Sequence, residues 1–179
     1  LGVWWPGYMA KLRVAIHGAA GRMGQRLVAL GSADPDLQIV AAVDSRGHPR
    51  LGEDAGVIAG VASLAVALAG RLEVTPDVVI DFSVPAGAEA ITRLCIEKNL
   101  PLVMATTGLD DAQQQMLRDA ARSIPLLWSP SMSLTVNLAM KLTEIAGRAL
   151  ASHPSGVDVE IVERHHRFKE DAPSGTALH

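Results

Sequence analysis

Short runs of apolar, mostly β-branched residues alternate along the chain with longer amphipathic stretches. The short runs predict five strands, at residues 12–18, 38–44, 77–83, 101–108 and 125–131. The stretches between them predict a loop over 45–60 and helices at 21–33, 63–69, 86–99 (opened by Pro85) and 109–123. Apolar strands separated by amphipathic helices are typical of a parallel sheet covered on both faces. The pattern therefore predicts a doubly wound, Rossmann-like α/β domain.

The pattern changes after the fifth strand. A longer helix is predicted at residues 133–152, and residues 158–166 predict a strand flanked and lined by the alternating apolar residues Val157, Val159 and Ile161. A strand this late in the chain indicates the opening of a second, α+β domain. We therefore divide the chain into an N-terminal extension at 1–8, an α/β domain at 9–130 that starts at Met9, and part of a second domain at 131–179.

Composition excludes several classes of function. A net charge of -3 and an aromatic content of 3% argue against a basic or base-stacking surface, so we expect no nucleic-acid partner. The single cysteine, Cys95, excludes an internal disulfide and fits a reducing compartment, and its place on the apolar face of a predicted helix indicates a buried, inert thiol. No apolar run is long enough to span a bilayer. We expect a cytoplasmic protein without a membrane partner.

A glycine-rich turn joins the first predicted strand to the first predicted helix. The spacing places Gly18 where the chain turns sharply, Gly21 where a phosphate approaches the backbone, and Gly24 where the helix packs against the strand. Ala20, Arg22 and Met23 complete the turn. Because the amides at a helix N-terminus attract anions, this arrangement predicts a dinucleotide-binding site, the alternative being a glycine-rich turn of some other α/β protein.

Two residues after the second strand bear on the choice of dinucleotide. Asp44 lies 20 residues beyond Gly24, near the distance expected for a carboxylate that binds an adenosine ribose, and it favours NADH. Arg46 offers a guanidinium to the 2′-phosphate of NADPH. Since the two signals oppose each other, we predict that either NADH or NADPH is accepted.

Residues 163–176 concentrate polar chemistry. His165 and His166 are adjacent at a strand end, where extended geometry directs them to opposite sides, so we predict no metal site there. A histidine is a common proton donor, and Lys169 offers a fixed positive charge for anionic groups. Ser174 is a candidate helix cap in a turn that suits a carboxylate. The alternative is a solvated polar loop with a helix cap.

Together these stretches resemble the 4-hydroxy-tetrahydrodipicolinate reductase (dihydrodipicolinate reductase) family of the diaminopimelate route to lysine. The family motif E-x-H-H-x-x-K-x-D-A-P-S-G-T-A matches residues 163–177, and "GAAGRMG", "DFS" and "TTG" match cofactor-domain motifs in the same order. The resemblance runs from Met9 to the end of the chain. It implies hydride transfer from NADH or NADPH to a cyclic dicarboxylate, giving tetrahydrodipicolinate.

The resemblance also implies roles for individual residues. His165 would be the general acid, and Lys169 would act with it in catalysis. The residues implied to bind the substrate carboxylates are His166, Lys169, Ser174, Gly175 and Thr176. Besides the glycine-rich turn, Asp44 and Arg46, the positions implied to bind the cofactor are Phe82, Ser83, Ala105, Thr106, Thr107, Ser129 and Met132.

The chain departs from the family pattern at a few positions. Ala105 stands where the family usually has glycine, and Ser131, Met132 and Thr135 replace the usual residues of another motif. If the glycine replaced by Thr135 needs a positive φ, threonine there costs about 1 kcal/mol or more.

Length is the other departure, because family members continue well past the histidine motif. We therefore interpret the chain as C-terminally truncated, with a partial substrate-binding domain. A homotetramer is expected for the full-length family, through the part of the sheet that is missing. Two other hypotheses on function remain. The chain could belong to a different two-domain dehydrogenase with the same nucleotide-binding fold, or it could be a fragment that binds NAD(P) without turnover.

Overall fold

The computed structural model describes residues 10–129, 131–165, 167, 172–174 and 177. Contacts divide the chain into two compact units, Leu1–Trp128 and Ser129–His179. The division falls two residues before the boundary predicted at residue 130. Each unit is described by itself below.

The first unit is built on a parallel six-stranded sheet, which confirms the predicted α/β class. The strands are β1 (Leu12–His17), β2 (Leu37–Val43), β3 (Leu68–Ala69), β4 (Val78–Asp81), β5 (Leu102–Met104) and β6 (Leu126–Trp128). Its helices are α1 (Arg22–Ala33), α2 (Ala55–Ile58), α3 (Pro85–Lys98) and α4 (Asp111–Ala120). The strand order is β3-β2-β1-β4-β5-β6, so the order reverses between β1 and β4. In such sheets ligands bind at the carboxyl ends of the strands beside this switch point.

The centre of the sheet is buried on both faces, and its strands there are almost wholly apolar. Neighbouring residues of β1 point to opposite faces: Val14 and Ile16 join a cluster with α1 and α2, whereas Ala15 joins a cluster with α3 and α4. The residues that form both clusters are each less than 10% exposed. The carboxyl ends of β1, β2 and β4 are therefore held rigidly in register at one edge.

Local sequence explains where the main helices begin and end. Pro85 opens α3, and Asn99 ends it with a φ of 51°. Asp110 and Gln113 form a reciprocal capping box at the start of α4: Asp110 accepts from the backbone N–H of Gln113 at 2.8 Å, and Gln113 accepts from that of Asp110 at 3.1 Å.

The segment between β2 and β4 differs from the prediction. The helix predicted at residues 63–69 is wrong, because Leu68 and Ala69 form β3 beside β2, and α2 lies within the predicted loop. The cause is Asp54, whose carboxylate accepts from the backbone N–H groups of Leu64 and Val66, at 3.1 and 3.2 Å. A seven-residue alanine-rich run gains too little as a helix to resist such tertiary hydrogen bonds.

The second unit contains one long helix among its described residues. The predicted helix is confirmed as α5 (Leu134–Leu150), whose N-cap Ser133 accepts from the N–H of Val136 at 3.4 Å. Thr135 lies inside α5 and, like Ala105, has no positive φ, so the backbone cost considered for a lost glycine does not arise.

The strand predicted at residues 158–166 is wrong over 158–165, where the described residues form no strand. A strand is stable only when its backbone groups pair with a neighbouring strand, and no described segment pairs with this one. Its alternating apolar residues are consequently exposed: Val159 is 77% and Ile161 is 68% exposed. The alternation is present in the sequence, but within the described part of the chain it has no neighbouring strand to pack with.

Candidate functional site

The glycine-rich turn has a backbone that only glycine fits at its first position. Gly18 has a φ of +76°, and a Cβ atom placed on it would lie 2.6 Å from the carbonyl oxygen of Phe82. The N–H groups of Gly18 and Ala19 both donate to the carbonyl of Val43, at 2.8 and 3.0 Å. The turn is therefore pinned between the ends of β1, β2 and β4.

Gly24 brings α1 into direct contact with this turn. A Cβ atom at Gly24 would lie 2.0 Å from the carbonyl oxygen of Gly18, whereas one at Gly21 would lie 3.2 Å from the same oxygen. The closer approach cannot be relieved by side-chain movement, because every atom involved belongs to the backbone. The roles that the spacing predicted for Gly18 and Gly24 thus have a steric cause.

The N-terminus of α1 is open. Its N-cap is Gly21, which has no side chain to cap it, and no described residue accepts a hydrogen bond from the N–H groups of Arg22, Met23 or Gly24. Free amides at a helix N-terminus, with the positive end of the helix dipole, favour a phosphate. A glycine cradle with three unused donors fits the pyrophosphate of a dinucleotide.

Asp44 ties the end of β2 to the turn. Its Oδ2 accepts from the N–H of Ala20 at 3.0 Å, and its Oδ1 accepts from the N–H of Ser45 at 2.8 Å. Each carboxylate oxygen keeps a further lone pair, and the side chain is only half-buried. The carboxylate is therefore both fixed and available to a hydroxyl donor such as a ribose.

A cleft of about 450 Å³ opens beside Asp44. Arg46 and Arg71 contribute cationic groups to it, and the apolar side chains of Leu72, Ile91 and Leu94 form one wall. A second opening of about 320 Å³ also lies beside both arginines. Acid, guanidinium and apolar wall together suit an adenosine group, with or without a 2′-phosphate.

A buried polar network that sequence reasoning missed lies at the carboxyl ends of β1, β4 and β5. His17 Nδ1 lies 2.5 Å from Asp81 Oδ1, and the Oγ1 of Thr106 donates to Asp81 Oδ2 at 2.5 Å. The N–H of Ser83 donates to Thr106 Oγ1 at 2.9 Å. Asp81 is fully buried. The only sequence signal was a histidine and an aspartate ending two otherwise apolar strands.

The structure brings most of the predicted cofactor residues of the first unit to this same edge. Phe82 and Ser83 follow β4, and Ala105, Thr106 and Thr107 follow β5. Ala105 and Thr106 are buried and Thr107 is exposed. The Thr106 hydroxyl is committed to Asp81 and Ser83, so it supports the edge from beneath. Ser129 and Met132 belong to the second unit.

The histidine segment belongs to the second unit. His165 Nδ1 lies 3.6 Å from Glu163 Oε2, and the other carboxylate oxygen of Glu163 accepts from the N–H of Ser174 at 2.8 Å. Ser174 is 4% exposed, and its Oγ accepts from the N–H of Ala177 at 3.1 Å, as expected for a cap. Glu163, which we did not predict as a site residue, thus joins His165 to Ser174. The predicted residues outside the described part are His166, Lys169, Gly175 and Thr176.

Two other kinds of site are absent from the described part of the chain. Within the described residues, no group of three or more histidine, cysteine or carboxylate side chains is arranged to hold a metal ion. Over the same part of the chain, no helix has the length and hydropathy needed to cross a bilayer.

Comparisons with known proteins agree with this geometry. The N-terminal model of dihydrodipicolinate reductase matches residues 12–132, and the C-terminal model matches residues 135–179. The 4-hydroxy-tetrahydrodipicolinate reductase of Rhodopirellula baltica is 51% identical over 93% of this chain and 61% of its own length. That of Alkalilimnicola ehrlichii is 48% identical over 93% of this chain and 62% of its own length.

A solved structure, dipicolinate-bound dihydrodipicolinate reductase from Paenisporosarcina sp. TG-14, is 31% identical with a TM-score of 0.68. The match covers 94% of this chain and 63% of that one. The chain thus spans about three fifths of the length of these relatives. Since a family model matches well over half of its residues, the chain belongs to the dihydrodipicolinate reductase family.

Proposed function

We propose that the chain is the nucleotide-binding domain and part of the substrate domain of an NAD(P)H-dependent 4-hydroxy-tetrahydrodipicolinate reductase. The reaction is transfer of a hydride to the cyclic dicarboxylate formed from 4-hydroxy-tetrahydrodipicolinate. One observation carries the proposal: the open, glycine-built N-terminus of α1, braced by Asp44, in a chain of this family. The substrate is inferred from the similar proteins, which are 4-hydroxy-tetrahydrodipicolinate reductases.

The first unit holds the cofactor in this proposal. The free amides of Arg22 and Met23 bind the pyrophosphate, and Asp44 accepts from the adenosine ribose. When bound, the reduced nicotinamide supplies the hydride. Asp44 disfavours a 2′-phosphate by charge, whereas the exposed guanidinium of Arg46 favours one, so both NADH and NADPH are accepted.

The second unit supplies the proton. With Nδ1 of His165 facing the carboxylate of Glu163, its Nε2 is left to donate a proton to the substrate ring. Glu163 lies within ion-pair distance of the imidazole, on the side of Nδ1. The role of Lys169 in catalysis, and those of His166, Ser174, Gly175 and Thr176 in binding substrate carboxylates, follow from the family motif.

We also propose the substrate class, the cellular compartment and the assembly of the full-length protein. The partner is a small dicarboxylate, the compartment is the cytoplasm, and the assembly of the full-length protein is a homotetramer. We expect no nucleic-acid partner, because the net charge is -3.

The test is calorimetric titration with NADH and NADPH, with turnover measured on the same preparation. Asp44→Ala is expected to weaken NADH binding roughly tenfold to a hundredfold, since a hydrogen bond to a charged group is lost, and NADPH binding by less. Glu97→Ala removes one exposed carboxylate elsewhere and serves as the matched control. Equal losses for both nucleotides would overturn the ribose assignment, and wild type that binds neither nucleotide would overturn the function.

Binding without turnover is the second candidate. The observation that favours it is that the expected strand does not form over residues 158–165, where no described segment pairs with the chain. In that case the chain is a nucleotide-binding fragment of the reductase. Reduction of freshly generated substrate by the wild-type chain would exclude this second candidate.

A further inference from the structure

The imidazole of His17 is held rigidly at the end of β1. Asp81 is fully buried, and a buried carboxylate is costly unless its oxygens are paired. One oxygen faces Nδ1 of His17 at 2.5 Å and the other accepts from Thr106. Between the two ring nitrogens, Cε1 of His17 lies against α3, because a Cβ atom at Gly87 would be 3.1 Å from it. The ring is therefore fixed between a carboxylate and a helix.

This arrangement leaves one ring nitrogen unused. Nδ1 is taken by Asp81, and no described residue forms a hydrogen bond with Nε2 of His17. Among the described residues, every side-chain nitrogen or oxygen that is fully buried has a hydrogen-bond partner. Since Nε2 has none, it is not fully buried and is accessible to solvent or a ligand. His17 is one of the residues that line the cleft beside Asp44, so a ligand in that cleft can reach its ring.

The cleft has few other fixed polar groups in its floor. Asp44 also lines the cleft, together with Ser45, Arg46 and Arg71, and the last three are exposed. Apart from His17, the rest of the lining is apolar or glycine. A ligand that enters the cleft therefore meets two fixed polar side chains, Asp44 and His17, each held by protein hydrogen bonds before binding. Preorganised groups of this kind give affinity at little ordering cost.

We propose that His17 is a second nucleotide-binding residue, whose Nε2 makes a polar contact with the adenosine half of the dinucleotide. Asp81 is the positioning residue that aims the ring. Through Asp81 the same network reaches Thr106 and the N–H of Ser83, so the adenosine contact and the loop after β4 share one buried anchor. This inference rests on the proposed dinucleotide site and adds to it a residue that the glycine-rich motif does not contain.

Two isosteric variants separate the roles of the two ring nitrogens. Asparagine at position 17 places an amide near the position of Nδ1, so His17→Asn keeps the bond to Asp81 and loses Nε2. Glutamine reaches the position of Nε2 instead, so His17→Gln keeps a polar group in the cleft. We expect His17→Asn to weaken binding of AMP and NADH roughly tenfold while leaving nicotinamide mononucleotide unchanged, and His17→Gln to restore part of the loss.

A measurement on the unaltered chain makes the test independent of variant stability. In ¹⁵N-labelled protein, saturation with AMP should shift the Nε2 resonance of His17, and saturation with nicotinamide mononucleotide should not. An Nε2 resonance unmoved by AMP, or AMP affinity unchanged in His17→Asn, would overturn the role of His17 alone. If the wild-type chain binds neither AMP nor NADH, the proposed function fails and this inference fails with it.

Discussion

A single methyl group at position 24 tests how the glycine-rich turn is built. The added Cβ would lie 2.0 Å from the carbonyl oxygen of Gly18 and 2.6 Å from the Cα of Ala19. We expect Gly24→Ala to lower the free energy of unfolding by about 1–3 kcal/mol, despite alanine's better helix propensity, because overpacking against backbone forces the helix away. Urea unfolding measures the loss, and calorimetry should show that NADH binding disappears with it.

Gly47→Ala is the matched control for that substitution. A Cβ atom at Gly47 has nothing within 4 Å, and its φ is not positive. We expect its stability to stay within about 0.5 kcal/mol of wild type and its nucleotide affinity to be unchanged. If the two variants behave alike, close packing of α1 on the turn is not what shapes the site.

Single residues differ in how far the sequence predicted them. The burial of Cys95 is confirmed: the residue has no exposed surface, and burial, with a smaller contribution from the charge of Asp81, raises the pKa of its thiol to about 12. Helical periodicity was enough to predict this. The contact between His17 and Asp81 was not predictable from the sequence. The two residues are 64 positions apart, and each is the last residue of a strand whose other residues are mostly apolar.

At the scale of elements, Asp54 organises the whole connection between β2 and β3. Burial raises the pKa of its carboxyl, but hydrogen bonds from the backbone of Leu64, Val57 and Val66 and from the hydroxyl of Ser63 outweigh this and hold the pKa below its ordinary value of 3.8. A carboxyl whose pKa is lowered by folding stabilises the folded state at any pH above its ordinary pKa. That stability is lost as the pH falls through the lowered pKa.

We therefore expect Asp54→Asn to lower the urea midpoint at neutral pH and to flatten its decline below about pH 4, because asparagine cannot titrate. Glu97→Gln, on the exposed face of α3, should reproduce the wild-type decline. An acid dependence of Asp54→Asn that matches wild type would show that this carboxylate does not anchor the connection.

Elements were predictable where their own periodicity determines them. The strong patterns of α1, α3, α4 and α5, and of the five longer strands, were enough. The connection around Asp54 was mispredicted because its hydrogen bonds join residues nine to twelve positions apart, which no local pattern reports. The strand expected at 158–166 does not form over 158–165 for the opposite reason: its apolar alternation is present, but no described segment pairs with it.

At the scale of the whole molecule, the two units should differ in resistance to proteolysis. Residues 151–165 form no helix or strand and are exposed, so we expect trypsin to cut first at Arg164 and to leave the first unit as a resistant core. NADH at about 100 times its Kd should add roughly 2.7 kcal/mol to the stability of that core and slow its later digestion.

The Gly24→Ala variant provides the control for that protection, because its core should digest at the same rate with and without NADH. Early cleavage inside the sheet of the wild-type chain, or a core that NADH does not protect, would contradict the predicted order of stability. Gel electrophoresis with mass spectrometry of the fragments identifies the sites.

The position of β1 in the middle of the sheet has a consequence for synthesis. β1 pairs with β2 and with β4, and the latter ends 64 residues later in the chain. At roughly 5–20 residues per second, the ribosome needs several seconds to deliver that second partner. Throughout this interval the edge of β1 that will pair with β4 stays unpaired, and an unpaired strand edge is open to aggregation. Until β4 has been synthesised, this edge of β1 is therefore the part of the sheet most exposed to pairing with another chain.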